Sequence, residues 1–127
     1  MQEKAPFHSF KQRSHLQQQI DSLKEALTKK NALLKKHKAF LASSPTPDQA
    51  KKCKQLQTEL RLLRKQKQLL QIQKQILEIH EEIHIKEGWL ADYIAHDHVE
   101  EQEQVERDLY QLNEQLVLLT RKGSEKR

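Results

Sequence analysis

Leucine and isoleucine return along this chain at steps of three and four, and those steps predict long helices. From Ser9 to Ala42, Ile20, Leu27, Leu34 and Leu41 recur every seven residues. Leu16 and Leu23 fill the intervening line, which continues through Lys30 and His37. Such a repeat places its members on one seam that a partner helix can cover. Ala26, Leu33 and Phe40 form a second line that widens the apolar face. The run Ser43-Ser44-Pro45-Thr46-Pro47-Asp48 then breaks the helix. Proline cannot donate to the helical ladder, and it pushes the residue before it out of the helical region.

A second helix is expected over 48–96, capped by Asp48, or by Thr46 with Pro47 at the first helical position. Leu56, Leu60, Leu63 and Leu70 mark one stripe, continuing through Leu77 to His84. Leu69, Ile72, Ile76, Ile79, Ile83, Leu90 and Tyr93 mark another. The two overlap between Leu69 and Ile79, an apolar arc wider than one partner helix needs. Gly88 permits a kink or break. His96-Asp97-His98 is the next expected turn. A third helix over 99–122 carries Val105, Leu109, Leu112, Leu116 and Leu119, with Gly123 placed as a helix stop.

Short connections join antiparallel neighbours. Folding at the prolines brings Leu34 near Leu56 and Ile20 near Leu70. Folding at the histidines brings Leu119 near residues 75–76. Both free ends then meet over Leu69–Ile79, which gives the wide arc a reason. The expected fold is all-α: an antiparallel coiled coil of three long helices with a helical hairpin at the Pro45–Pro47 turn. One elongated domain is expected over 9–122, with flexible segments at 1–8 and 123–127.

Composition narrows the picture. Hydrophobic residues make up 35% and charged residues 32%, which suits narrow stripes better than a broad core. With 2 Gly and 3 Pro, the chain lacks the turns that an all-β fold requires. The single cysteine, Cys53, excludes an internal disulfide and a multi-cysteine zinc site, and reads as a small, half-buried helix residue. No apolar run approaches the roughly 20 residues of a membrane span. The first residues lack the apolar core of a secretory signal. An intracellular protein, cytoplasmic or nuclear, is therefore expected, and a chain of this pattern can be a segment of a longer one.

Charge is divided along the chain. Residues 11–74 carry 16 Lys and Arg against 4 Asp and Glu, a net of +12; residues 75–120 carry 2 against 12, a net of −10. The proline turn is expected to be a basic end and the histidine turn an acidic one.

Candidate chemistry is sparse. His80-Glu81-Glu82-Ile83-His84 matches the His-Glu-x-x-His pattern of zinc proteases, where two histidines one turn apart hold the metal. Here it sits in a helix rich in Glu and His, so His80 and His84 are expected only as adventitious metal ligands. No phosphate-binding glycine loop and no nucleophilic triad stand out. No catalysis and no cofactor is expected. Lys29, Lys30, Lys35, Lys36 and Lys38 precede the proline turn and Lys51, Lys52 and Lys54 follow it. Lys35, Lys36, Lys51 and Lys52 are the partner-binding candidates of this patch, facing an acidic protein surface, nucleic acid or anionic lipid. Trp89 and Tyr93, one helical turn apart, belong to types enriched in interface hot spots.

At Ile83-His84-Ile85-Lys86-Glu87-Gly88 the sequence resembles the HR1-type repeat, the antiparallel coiled coil of Rho-binding kinases. Residues 70–122 follow its plan of helix, short turn and leucine-rich second helix. After Gly88 the repeat shows a small residue, then Glu and Asn, where this chain has Trp89-Leu90-Ala91-Asp92. The resemblance implies a Rho-family GTPase as partner. The residues themselves point first to a protein-protein interaction module, a scaffold or assembly subunit with self-association open to it. A Rho-binding effector is the alternative, and a basic hairpin on nucleic acid or anionic membrane the second alternative.

Overall fold

The computed structural model describes residues 4–126, with side chains from residue 11 onward. They form three α-helices, α1 (Lys4–Ser43), α2 (Pro47–Ala95) and α3 (Val99–Lys126). No strand occurs among the described residues. The flexible start expected over 1–8 lies partly outside them, and from Lys4 onward the chain is already helical. Pro6 falls in the first turn of α1, where its missing N–H would have had no partner.

Both turns are built from local hydrogen bonds. Thr46 caps α2: its Oγ1 accepts from the Gln49 N–H at 3.2 Å, with Pro47 as the first helical residue. At the other turn Asp97 takes a left-handed backbone, φ 55°. The His98 N–H reaches the Tyr93 carbonyl at 2.9 Å and the Asp97 N–H the Ile94 carbonyl at 3.3 Å. That pair of bonds ends α2 in the glycine-type manner, with Asp in the left-handed position. His98 immediately precedes α3, and its Nδ1 lies 3.2 Å from Oε2 of Glu101 three residues on, a side-chain pair across the first turn.

Tertiary contacts divide the chain into two compact units, residues 17–70 and residues 1–16 with 71–127. The first is an antiparallel hairpin of α1 on α2. Leu27 and Leu34 of α1 pack with Cys53, Leu56 and Leu60 of α2, flanked by Leu41 and Leu63. Cys53 is buried there, not half-buried, because its place in the heptad falls on the seam. The polar residues that interrupt the seam find partners across it. Lys30 Nζ meets Glu59 Oε2 at 2.8 Å, and His37 Nδ1 meets Gln49 Oε1 at 3.0 Å. These contacts are half-exposed, so they contribute register more than stability.

In the second unit three helices meet. Arg13 of α1 lies 3.5 Å from Glu81 and 3.8 Å from Glu78 of α2. Ile72 and Ile79 of α2 and Val105 and Leu112 of α3 are buried. Lys86 pairs with Asp108 at 3.3 Å, which fixes α3 antiparallel to α2. Arg13 of α1 reaches Glu78 and Glu81, whereas Ile72 packs on Gly123 of α3, so α1 and α3 contact different residues of α2. The wide arc therefore serves two partners.

The two glycines do not interrupt the helices. Gly123, expected as a stop, lies inside α3 and is buried. A Cβ there would sit 3.5 Å from Ile72 Cγ2, so the bare backbone packs closely on α2 and that packing carries the helix onward to Lys126. Gly88 lies in unbroken helix, and a Cβ on it would meet nothing within 4 Å. Gly88→Ala should therefore stabilise the protein by about 0.5–1 kcal/mol, the helix-propensity difference. Thermal melting followed by circular dichroism checks it. A lowered melting temperature would mean that α2 bends at Gly88.

Candidate interaction surfaces

The hairpin of residues 17–70 carries 13 Lys and Arg against 4 Asp and Glu, a net of +9. Lys35, Lys36, Lys51 and Lys52 are all exposed near its proline turn. None of them makes an ion pair among the described residues. Lys30, grouped with them in sequence, is instead held by Glu59. Between α1 and α2 runs a polar groove of about 520 Å³ lined by Lys35, Lys38, Arg61 and Arg64 with Asn31 and Gln57. Arg64 Nη2 donates to Asn31 Oδ1 at 3.4 Å across it. Proximity to the turn had singled out only the lysines. Arg61 and Arg64 join them because the register of the two helices turns them to the same side.

The other unit offers apolar and acidic surface. Trp89 is 48% exposed, and Ile85, one turn earlier, is exposed beside it. Lys86 Nζ stands 5.2 Å from the Trp89 ring centre while also pairing with Asp108 of α3. The indole is thus held to the α2–α3 pair by a cation on its face. Tyr93 takes a different role. It is half-buried and stacks on His98 at 6.0 Å, inside the turn. A groove of about 700 Å³ runs between α2 and α3, with Ile79, Leu118 and Leu119 in its wall and Glu78, Glu82 and Arg121 at its edge.

On α3, Val99, Tyr110 and Val117 are exposed large side chains. A hydrogen bond to Glu114, reinforced by that carboxylate's charge, raises the Tyr110 hydroxyl above its ordinary pKa. Tyr110 therefore stays protonated and able to donate through the physiological range.

His80 and His84 are both exposed on α2. No group of three or more His, Cys, Asp or Glu positioned for a metal ion occurs among the described residues. None of the described helices is long and apolar enough to cross a membrane. No protein-family model, curated protein or solved structure matches the chain.

Proposed function

We propose that this chain is a non-enzymatic coiled-coil interaction module, a scaffold or assembly subunit of an intracellular complex, cytoplasmic or nuclear. Its protein partner docks on the α2–α3 surface around Trp89. The exposed but anchored indole carries this reading. A tryptophan exposes a large apolar area to water, and here Lys86, itself paired with Asp108, stands over its ring and favours one placement. A fixed, amphipathic ring is the kind of group that dominates interface energies, since little entropy is lost when a partner covers it. Ile85 extends the apolar patch, and the exposed Glu82, Glu87 and Asp92 of the same stretch favour a partner with a basic rim.

A Rho-family GTPase is the alternative partner, suggested by the resemblance at Ile83–Gly88. The antiparallel α2–α3 pair has the arrangement that such a repeat uses, and binding to nucleotide-loaded GTPases distinguishes it.

The test compares wild-type protein with the Ile85→Ser, Trp89→Ala double variant. Both side chains are exposed, so circular dichroism should give matching helicity for the two. Proteins retained by wild type and lost by the variant are then purified and measured by calorimetry. A weakening of at least about 30-fold, the size of a hot-spot loss of 2 kcal/mol, is expected. If every retained protein binds both forms equally, the patch is not the docking surface. Dimerisation that depends on Trp89, seen in sedimentation, would make a second copy of the chain the partner.

A further inference from the structure

The groove on the hairpin combines three features that ordinary solvated lysines do not share. Its four cations, Lys35, Lys38, Arg61 and Arg64, line one recess, and no carboxylate lines it with them. None of the four is in an ion pair among the described residues. They are also in rows. Lys35 and Lys38 follow Asn31 by turns of α1, and Arg61 and Arg64 follow Gln57 by turns of α2. Each three-residue step advances about 4.5 Å along the helix, so a linear polyanion lying in the groove meets cations on both sides over successive charges.

We propose that this groove binds the phosphate backbone of a single-stranded nucleic acid without reading its sequence. Guanidinium forks of Arg61 and Arg64 can take phosphate oxygens in pairs, and the lysine ammoniums supply point charges opposite. The side-chain amides of Asn31 and Gln57 are further donors. The groove favours this ligand over a protein helix because it offers no exposed apolar anchor. Its only apolar lining, Leu34 and Leu60, is already buried in the hairpin core. Protein interfaces need an apolar centre. The exposed apolar residues of the hairpin, Leu33, Phe40 and Leu62, are not in the lining. With no aromatic ring in the lining, bases find no stacking partner, so binding is sequence-independent.

The experiment is a titration of a short, labelled, mixed-sequence DNA strand across a range of salt. Three forms of the full chain are compared. One is wild type. One carries Lys35→Gln, Lys38→Gln, Arg61→Gln and Arg64→Gln. The third is a charge-matched control with Lys24→Gln, Lys29→Gln, Lys54→Gln and Lys65→Gln, all exposed and outside the groove. Each lost phosphate contact flattens the plot of log affinity against log salt by about 0.7, so the groove variant should lose about 3 from the slope and at least about tenfold in affinity. The control should lose no more than about threefold and keep most of the slope. Removing four clustered like charges should hold or raise the melting temperature, which separates lost binding from lost folding.

Equal losses in the two variants would overturn the proposal in favour of diffuse charge, as would salt-insensitive or undetectable wild-type binding. Anionic phospholipid vesicles and polyglutamate are run alongside. Groove-dependent binding to either that equals or exceeds binding to the strand would also overturn it, assigning the groove to a membrane or to an acidic peptide.

Discussion

Leu60→Ala should cost the hairpin about 2–4 kcal/mol, whereas Leu62→Ala, two residues along the same helix, should cost about 0.5 kcal/mol or less. Leu60 is 1% exposed and packs with Leu27, Leu34, Cys53 and Leu56. Leu62 is 56% exposed. Truncating Leu60 loses the transfer free energy of its methyl groups and leaves a void that two straight helices can close only in part. Truncating Leu62 removes side chain that is already in water. The contrast holds composition and helix propensity constant, so it isolates burial. Urea melts of both variants measure it, and similar losses would place the seam on a different phase of α2.

Ile72→Asp should be as damaging in the other unit, at about 3 kcal/mol or more, since it replaces a buried apolar side chain by a desolvated carboxylate. Ile72 is buried, and its Cγ2 lies where the backbone of Gly123 approaches closely. A carboxylate there would be taken out of water at a close helix-helix contact. Gly123→Ala sets the scale at the same contact. Its new methyl would sit at ordinary van der Waals distance, 3.5 Å, from Ile72, so it should be neutral or slightly stabilising. Hydrogen exchange reports where the damage falls. In Ile72→Asp the amides of the last turns of α3 should exchange far faster, while those around Leu34 and Leu56 keep their protection. If α3 stays protected, it does not depend on Ile72 for its packing.

The fold was legible wherever a local rule and the packing agree. The Pro45–Pro47 break, the Thr46 cap and the buried heptad of Ile20, Leu27 and Leu34 all follow from short-range chemistry, and tertiary structure leaves them in place. Gly123 shows the opposite case. Its local preference is to end a helix, yet contact with Ile72, some fifty residues away in sequence, carries α3 through it. Lys30 was legible as a seam position but not as half of an ion pair, because Glu59 becomes its neighbour only once the hairpin register is set. The groove cations were hidden for the same reason. Which basic residues share a side depends on the rotational phase of two helices, and a shift of one residue turns Arg61 by about 100°. Trp89 and Tyr93 looked alike by spacing, and the His98 ring at the turn separates them by covering only Tyr93.

Every surface assigned to the hairpin depends on α1 folding back along α2 within one chain. Spin labels at Lys24→Cys and Lys65→Cys, in a Cys53→Ala background, test this most directly. Both positions are exposed, and they lie opposite each other in the register set by Lys30 and Glu59. With helix axes about 8–10 Å apart, dipolar spectroscopy on spin-diluted protein should give a label separation below about 25 Å. A separation near 60 Å, the span of those 41 residues as extended helix, would contradict the hairpin and indicate helices that pair in parallel between chains.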